Sequence, residues 1–221
     1  MFRNLLDAAK GALIRAAAST QTLGNSLKGT MRIFCLVALA FVMGLSANDT
    51  SLDSYTVVKL HYGLNRVDFN NDGEEDLVVI ARRENFNAHG FDVVTFYSNQ
   101  PRNQQGNLAI VPMFDKEKED LTLEVSGGAD CLLHDFRLLK PKHGNEALLI
   151  VASRVWSKSF AENNVVAFSY YKLETNHSGL PGRPVLYFTL SDVRQAKKKY
   201  CDVNEAFHSE LGLENYIQRD Y

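Results

Sequence analysis

The sequence has 221 residues, of which 24 are basic and 26 acidic, and its formal net charge is −2. Without residues 1–47, which we interpret below as targeting sequence, 19 basic and 25 acidic residues remain and the net charge is −6. This charge disfavours a nucleic-acid or anionic-membrane partner, since either would need a basic surface. The remaining 174 residues suffice for one domain with a sizeable core.

Residues 31–47 have the layout of a secretory signal peptide. Met31-Arg32 is followed by an apolar run over 33–42 and by small residues up to Ala47, where cleavage is expected. The apolar run is shorter than the about 20 residues of a membrane span, so we expect no stable span. We therefore predict a periplasmic protein whose residues 48–221 form a single exported domain.

Residues 1–30 contain four basic side chains and one acid, Asp7, together with many Ala, Ser and Thr residues. We interpret them as an extension produced by a start codon assigned too early, with Met31 as the true start. A mitochondrial transit peptide has a similar composition, and this alternative stays open.

Two cysteines, Cys131 and Cys201, remain after removal of the predicted signal. In an exported protein two cysteines predict one disulfide bond. A catalytic or metal-binding cysteine is the alternative interpretation.

Runs rich in apolar, β-branched and aromatic residues predict strands over 54–62, 77–83, 91–97, 108–113 and 185–190, and the first of these also alternates between apolar and polar residues. Ser191 is placed to cap a helix over 192–199, and Asp202 a second helix over 203–211 that Gly212 ends. The predicted fold class is therefore mainly β with a C-terminal helical segment (α+β).

The middle of the chain repeats a pattern. Segment 68–96 aligns with segment 135–168. Asp68 aligns with Asp135, and the predicted strands that begin at Leu77 and Val93 align with strand-like runs of the later segment, at offsets of 67 to 72 residues. This predicts two related antiparallel β-meanders in one domain. The alternative is that any two β-hairpins share such a pattern.

The stretch 68–76 reads Asp-Phe-Asn-Asn-Asp-Gly-Glu-Glu-Asp, with oxygen-bearing side chains at alternate positions and a glycine for a sharp turn. Calcium prefers six to eight oxygen ligands, which such a loop can supply. The loop resembles the calcium loops of FG-GAP propeller blades. That resemblance implies calcium as a cofactor, bound by the side chains of Asp68, Asn70, Asp72 and Asp76 and the backbone carbonyl of Glu74. The alternative is an Asx-rich turn without metal.

A polar segment over 82–89 separates two predicted strands, and its counterpart at 154–160 carries Trp156. Two such loops at one end of a sheet would form a recognition surface with aromatic and arginine side chains. The candidate binding residues are Arg82, Arg83, Asn85, Phe86, His89 and Trp156. An ordinary solvated hairpin end is the alternative.

Hydrolase motifs are weak in this sequence. The S-x-x-K match at Ser169 and Lys172 lies in a predicted strand, where residues three apart face opposite sides. Its usual S-D-N and K-T-G partners are missing. The six histidines show no zinc spacing, although His89 and His134 lie beside polar turns. We therefore expect a protein that is not an enzyme, with an unrecognised hydrolase using Ser169, His89 or His134 as an alternative.

Several segments together resemble the CarG-type carbapenem self-resistance family over about 55–210. They are 67–73, 81–89, 91–97, 127–131 and 200–204. The resemblance implies a periplasmic protein that protects its host from a carbapenem without being a known β-lactamase. The expected partner is a β-lactam or a penicillin-binding protein. A calcium-stabilised extracytoplasmic interaction module is the alternative function.

Overall fold

The computed structural model describes residues 51–87, 89–99, 108–128, 130–144, 146–156, 158–215 and 217–218. The predicted extension over 1–30 and the predicted signal over 31–47 lie outside the described residues. No helix among the described residues is long and apolar enough to cross a membrane.

The described chain is built mainly of strands, as predicted. A short 3-10 helix, Leu52–Ser54, precedes the first of them. The strands are β1 (Tyr55–Val57), β2 (Leu60–His61), β3 (Gly63–Val67), β4 (Asp76–Arg83), β5 (Phe91–Asn99), β6 (Leu108–Ile110), β7 (Met113–Asp115), β8 (Lys118–Asp120), β9 (Leu123–Gly127), β10 (Leu132–Pro141), β11 (Leu148–Arg154), β12 (Asn164–Thr175), β13 (Leu186–Tyr200) and β14 (Ile217–Gln218). One helix, α1 (Val203–Leu211), lies between β13 and β14.

Two antiparallel meanders contain the long strands. The first is β3-β4-β5 and the second is β10-β11-β12, which continues into β13. Strand β9 pairs with β5 on one side and with β10 on the other, so it joins the two meanders into one sheet. The structure thus confirms the prediction of two antiparallel meanders, and the aligned strands occupy the same position in each.

The two meanders pack face to face through an apolar core. Phe96 of the first meander contacts Phe136 and Phe188 of the second with ring centroids 6.1 and 5.5 Å apart. Strand alternation places every second residue on this inner face, which explains the buried, half-buried alternation along β5. Burial of these aromatic rings supplies much of the hydrophobic stabilisation.

A second core lies on the outer face of β10–β13, where helix α1 packs. Phe207 of the helix contacts Phe168 of β12 with ring centroids 5.5 Å apart, and Val203 and Ala206 are fully buried beside it. Arg137, itself buried, holds the helix with a hydrogen bond to Asn204 and forms an ion pair with buried Asp135 at 2.9 Å.

The C-terminal helix is correct as predicted. The Asp202 carboxylate accepts a hydrogen bond from the amide of Asn204, which caps the helix N-terminus, and Gly212 ends it at φ 65°.

The predicted helix over 192–199 is wrong, because these residues extend β13. They pair with β12 from Asn164 onwards, and two register shifts let the ribbon bend. The local preference of these residues for a helix is small, and hydrogen bonding to the long neighbouring strand β12 outweighs it.

The predicted strand over 54–62 is broken in two. Tyr55–Val57 pairs with β10, whereas Leu60–His61 pairs with β14. Residues between them change sheet partner, so one continuous strand cannot form.

Candidate functional site

Equivalent loops of the two meanders meet at both ends of the sheet. At one end, Asn71 donates hydrogen bonds to the carbonyl oxygens of Pro141 and Gly144, both 2.9 Å away. At the other end, the loop after β4 contacts the loop after β11 through His89 and Phe160. The first end contains the predicted calcium loop and the second contains the predicted recognition residues.

Three aromatic side chains form what we call the aromatic surface: His89, Trp156 and Phe160. The Phe160 ring lies between the other two, with centroids 4.9 Å from His89 and 4.9 Å from Trp156. Trp156 is 63% exposed, and its neighbour Val155 is 50% exposed. The structure therefore brings His89 and Trp156 to one surface, as the loop positions predict.

Arg154 determines the shape of the loop that carries Trp156 and Phe160. Its guanidinium group is buried and donates to the carbonyl oxygens of Ser159, Phe160, Glu162 and Cys201 at 2.7 to 3.1 Å. Burial lowers the pKa of Arg154, and the charges of Glu162 and Asp202 partly offset that effect. A buried cation held by four carbonyl groups fixes the loop more firmly than backbone hydrogen bonds at a solvated turn.

The loop over 84–90 is organised by its own polar side chains. The Glu84 carboxylate accepts from the amides of Asn85 and Phe86 at 2.8 Å, and Asn85 donates to the carbonyl of His89. The hydrogen bonds from the amides of Phe86 and Asn85 lower the pKa of the Glu84 carboxyl group. Phe86 has a positive φ of 55° and is 96% exposed, so it lies on the surface without packing.

The two arginines at the end of β4 have different surroundings. Arg82 forms an ion pair with buried Asp92 at 3.3 Å, and Asp92 also accepts a 2.7 Å hydrogen bond from the hydroxyl of Tyr62. Arg83 lies over the ring of Phe91, 5.8 Å from its centroid. Arg82 is thus held at the base of the hairpin with its guanidinium half-exposed.

The predicted calcium loop is folded by Asx-type hydrogen bonds. Asp68 accepts from the amides of Asp72 and Gly73, and the Asp72 carboxylate accepts from the amide of Glu74 and the side chain of Asn70. No three His, Cys, Asp or Glu side chains of the described chain are arranged as ligands of a metal ion. Asp68, Asn70 and Asp72 therefore lie in one loop, and their side chains are hydrogen-bonded to its own backbone and side chains.

Asp76 differs from the other acids of this loop because it is fully buried. Its Oδ1 accepts from the amide of Asn99 at 3.1 Å, while Oδ2 has no donor in hydrogen-bonding geometry within the described chain. Burial raises the pKa of Asp76 to about 6, the amides of Asn99 and Phe69 partly offset the rise, and the charges of Asp72 and Asp68 add to it.

The two residues of the S-x-x-K match are not brought together. Ser169 pairs with Val151 on the inner face of the sheet, whereas Lys172 pairs with Leu148, whose side chain lies in the outer core. The S-x-x-K residues therefore face opposite sides, as strand alternation predicts.

Sequence reasoning missed Phe160, Arg154 and Gly128. A Cβ atom at Gly128 would lie 2.9 Å from the Cβ of Phe160, so a glycine is needed for the ring to pack there. The Gly127-Gly128 pair was a visible signal of close packing, but its partner, about 30 residues further along the chain, was not.

The fold and this surface define a class of protein. Over its described residues it is a mainly β protein with one C-terminal helix and a disulfide bond between Cys131 and Cys201, and it exposes an aromatic surface between two hairpins. The family model described as "Carbapenem resistance protein CarG-like" matches residues 60–209, and the chain belongs to this family.

A solved structure titled "Crystal structure of CarG" has a similar fold, with a TM-score of 0.59 and 26% sequence identity. The match covers 72% of this chain and 99% of that one. A comparison with curated proteins gives no match. The family assignment made from the sequence is thus confirmed.

Proposed function

We propose that this protein protects its host cell against a carbapenem in the periplasm, and that it acts by binding rather than by hydrolysis. The target is either the drug or a penicillin-binding protein that the drug would acylate. Membership of the CarG-like family supports the link to carbapenem resistance. The Cys131–Cys201 disulfide supports an oxidising compartment such as the periplasm.

The aromatic surface is the observation that carries the binding proposal. Exposed Trp and neighbouring aromatic rings are enriched at the centre of protein interfaces. Here Trp156 is held outward by a loop that buried Arg154 fixes, so it needs little ordering on binding. The loop that carries His89 adds polar groups beside the aromatic rings, among them the side chain of Asn85, which donates to the carbonyl of His89.

A protection assay tests this function. A penicillin-binding protein is incubated with a carbapenem, with and without the purified protein, and free active sites are then labelled with a fluorescent penicillin. We expect the protein to preserve labelling while the absorbance of the drug stays constant. Steady consumption of the carbapenem would contradict a binding mechanism.

Variants locate the surface. Trp156→Ala and His89→Ala should each reduce protection, because each removes a ring that packs on Phe160. Leu180→Ala is a matched control, since Leu180 is 56% exposed and lies in another loop. Equal protection by all three variants would exclude the aromatic surface as the binding site.

The second candidate is a calcium-stabilised interaction module. The observation that favours it is the buried carboxylate of Asp76. Its Oδ2 has no hydrogen-bond donor among the described residues, and the nearby charges of Asp72 and Asp68 raise its pKa. A bound calcium ion would compensate these charges, with Asn70 and the carbonyl of Glu74 as further ligands.

Thermal unfolding in calcium, in EDTA and with a carbapenem separates the two functions. The module predicts a melting temperature that rises with calcium and is indifferent to the drug. A shift with the carbapenem alone favours direct drug capture.

A further inference from the structure

A cleft of about 300 Å³ lies between the β7–β8 hairpin and the inner face of β10–β12, apart from the aromatic surface. Its apolar floor is formed by Met113, Leu123 and Val151. Its polar lining comes from His134, Ser153, Ser169 and Tyr171 and from the charged residues Lys118, Asp120 and Glu124. The volume is at the lower end of the range of small-molecule sites.

The inner face of β10 and β11 changes from apolar to polar where the cleft begins. Towards one end, the inward residues of β10 and β11 are the buried apolar Phe136, Leu149 and Val151. Two residues further along the same strands they become His134 and Ser153, which are paired with each other. Polar residues at inward positions stabilise a fold less than apolar ones, and such departures are typical of functional sites.

The polar groups of the cleft have unused hydrogen-bonding capacity. The hydroxyl groups of Ser153, Ser169 and Tyr171 make no hydrogen bond within the part of the chain that the structure describes. Burial raises the pKa of the Tyr171 hydroxyl, and Asp115 and Asp120 raise it further, so this group stays a donor at neutral pH. Each hydroxyl can both donate and accept.

His134 adds an acceptor. Its Nδ1 contacts the backbone carbonyl of Glu124. Because a carbonyl only accepts, Nδ1 carries the proton of the neutral ring, and Nε2 is left with a lone pair.

The charges disfavour an anionic ligand. Lys118 is already paired with Asp120 at 2.9 Å, which leaves Glu124 as an additional carboxylate in the lining and Asp115 near Tyr171. Among the described residues of the lining there is no arginine that would bind a carboxylate or phosphate with two parallel hydrogen bonds. The carboxylates and the unpaired hydroxyl groups of the lining fit a ligand that has many hydroxyl groups and no negative charge.

We propose that the cleft binds one or two pyranose units of a neutral saccharide. Carboxylates of Asp120 and Glu124 accept from sugar hydroxyls, while Ser153, Ser169 and Tyr171 donate and accept. The C–H face of the ring packs on the half-buried Tyr171 ring, above the apolar floor of the cleft. The site is separate from the aromatic surface, so it goes beyond the function proposed above.

Binding is measured by two-dimensional amide NMR of the full chain, titrated with cellobiose, maltose and N,N′-diacetylchitobiose. We expect at least one sugar to shift the amide signals of Ser153, Ser169 and Tyr171 in a saturable way. A polymer arm, sedimentation with cellulose, chitin or peptidoglycan, distinguishes a glycan chain from a free sugar as the ligand.

The double variant Ser153→Ala/Ser169→Ala should weaken binding about tenfold or more, since two hydrogen bonds to the ligand are lost. Both side chains are small and half-buried, so the fold is expected to persist. Ser178→Ala is a matched control at an exposed loop position.

Three results would overturn the proposal. One is the absence of shifts in the cleft with every sugar. Another is equal binding by the double variant and the control. The third is saturable binding of an anionic carbapenem at these same amides, which the charge of the cleft disfavours.

Discussion

Lys140 lies against Asp68, with its Nζ atom 3.3 Å from Oδ2 of the carboxylate. Asp68 opens the acidic loop of the first meander, and Lys140 lies at the end of β10, beside the equivalent loop of the second. The contact thus joins the two meanders and places a positive charge beside a predicted calcium ligand.

This pairing leads to a prediction about calcium. If Asp68 binds the ion, the ammonium group of Lys140 competes with calcium for the carboxylate. Lys140→Met should then tighten calcium binding by about fivefold, because it removes a repulsion of about 1 kcal/mol from a partly exposed cation. Isothermal titration calorimetry measures the affinity. Lys142→Met is the control, because the Lys142 ammonium group contacts the carbonyl of Asp53 instead. No calcium response in either wild type or variant would identify the loop as an Asx turn without metal.

Asp76 predicts a pH dependence of stability. The pKa of Asp76 is about 6 in the folded protein, against an ordinary value of 3.8. Between pH 3.8 and pH 6 the carboxyl group is therefore protonated in the folded state and ionised in the unfolded chain. The free energy of unfolding should therefore fall as pH rises from 4 to 6 and should change little above that range. We expect a loss of about 2 kcal/mol or less, since neighbouring amides and water screen the charge.

Asp76→Asn should flatten this profile in metal-free buffer and raise stability at pH 7, because the amide is neutral and its oxygen can still accept from Asn99. Urea unfolding across the pH range measures the effect. Glu75→Gln is the control from the same loop, since Glu75 is exposed and its ion pair with Arg66 lies on the surface. A variant profile as steep as that of the wild type would show that another group titrates.

Arg154→Met should loosen the loop that carries Trp156. The change removes the donor for four carbonyl oxygens, so we expect a loss of about 2 to 4 kcal/mol in the free energy of unfolding. Trp156 is the chain's single tryptophan, and its fluorescence anisotropy reports on the loop directly. We expect anisotropy to fall before global unfolding begins.

Arg66→Met is the control for Arg154, because Arg66 is exposed and its ion pair with Glu75 lies on the surface. It should change neither anisotropy nor stability measurably. An Arg154 variant with unchanged anisotropy would mean that packing of Phe160, rather than the buried cation, fixes the loop.

Strands β4 and β5 were predictable because their signals are local. Segment 77–83 begins with a run of apolar residues rich in β-branched types, and segment 91–97 is rich in β-branched and aromatic residues. Segment 192–199 failed because Arg, Gln, Ala and Lys favour a helix locally, while its pairing partner β12 lies more than 20 residues earlier in the chain. That partner cannot be identified from the segment itself.

The candidate site was predictable only in part. Loop position identified His89 and Trp156, because both follow the second strand of a meander. Phe160 and Arg154 were missed because their roles depend on contacts with residues far away in the sequence. Phe160 packs on the loop after β9, and Arg154 donates to the carbonyl of Cys201. The hydroxyl lining of the cleft was hidden for the same reason: Ser153 and Ser169 are ordinary strand residues until the fold places them together.

The Cys131–Cys201 disulfide fastens the segment between β13 and α1 to the segment before β10, with Cα atoms 5.6 Å apart. The cysteines are 70 residues apart, and closing so long a loop stabilises a fold by about 4 kcal/mol in the chain-entropy model. Asp202 keeps the two segments in contact without the bond, since it accepts from the amide of Leu132 at 2.9 Å and also caps α1.

The double variant Cys131→Ser/Cys201→Ser should therefore keep the native fold but lose up to about 4 kcal/mol in the free energy of unfolding, measured by urea unfolding followed by Trp156 fluorescence. Dithiothreitol should lower the stability of the wild type to the same level and leave the double variant unchanged. A wild type whose unfolding midpoint is indifferent to the reductant, under conditions where thiol titration shows both cysteines reduced, would mean that Asp202 and the packing of α1 alone hold this junction.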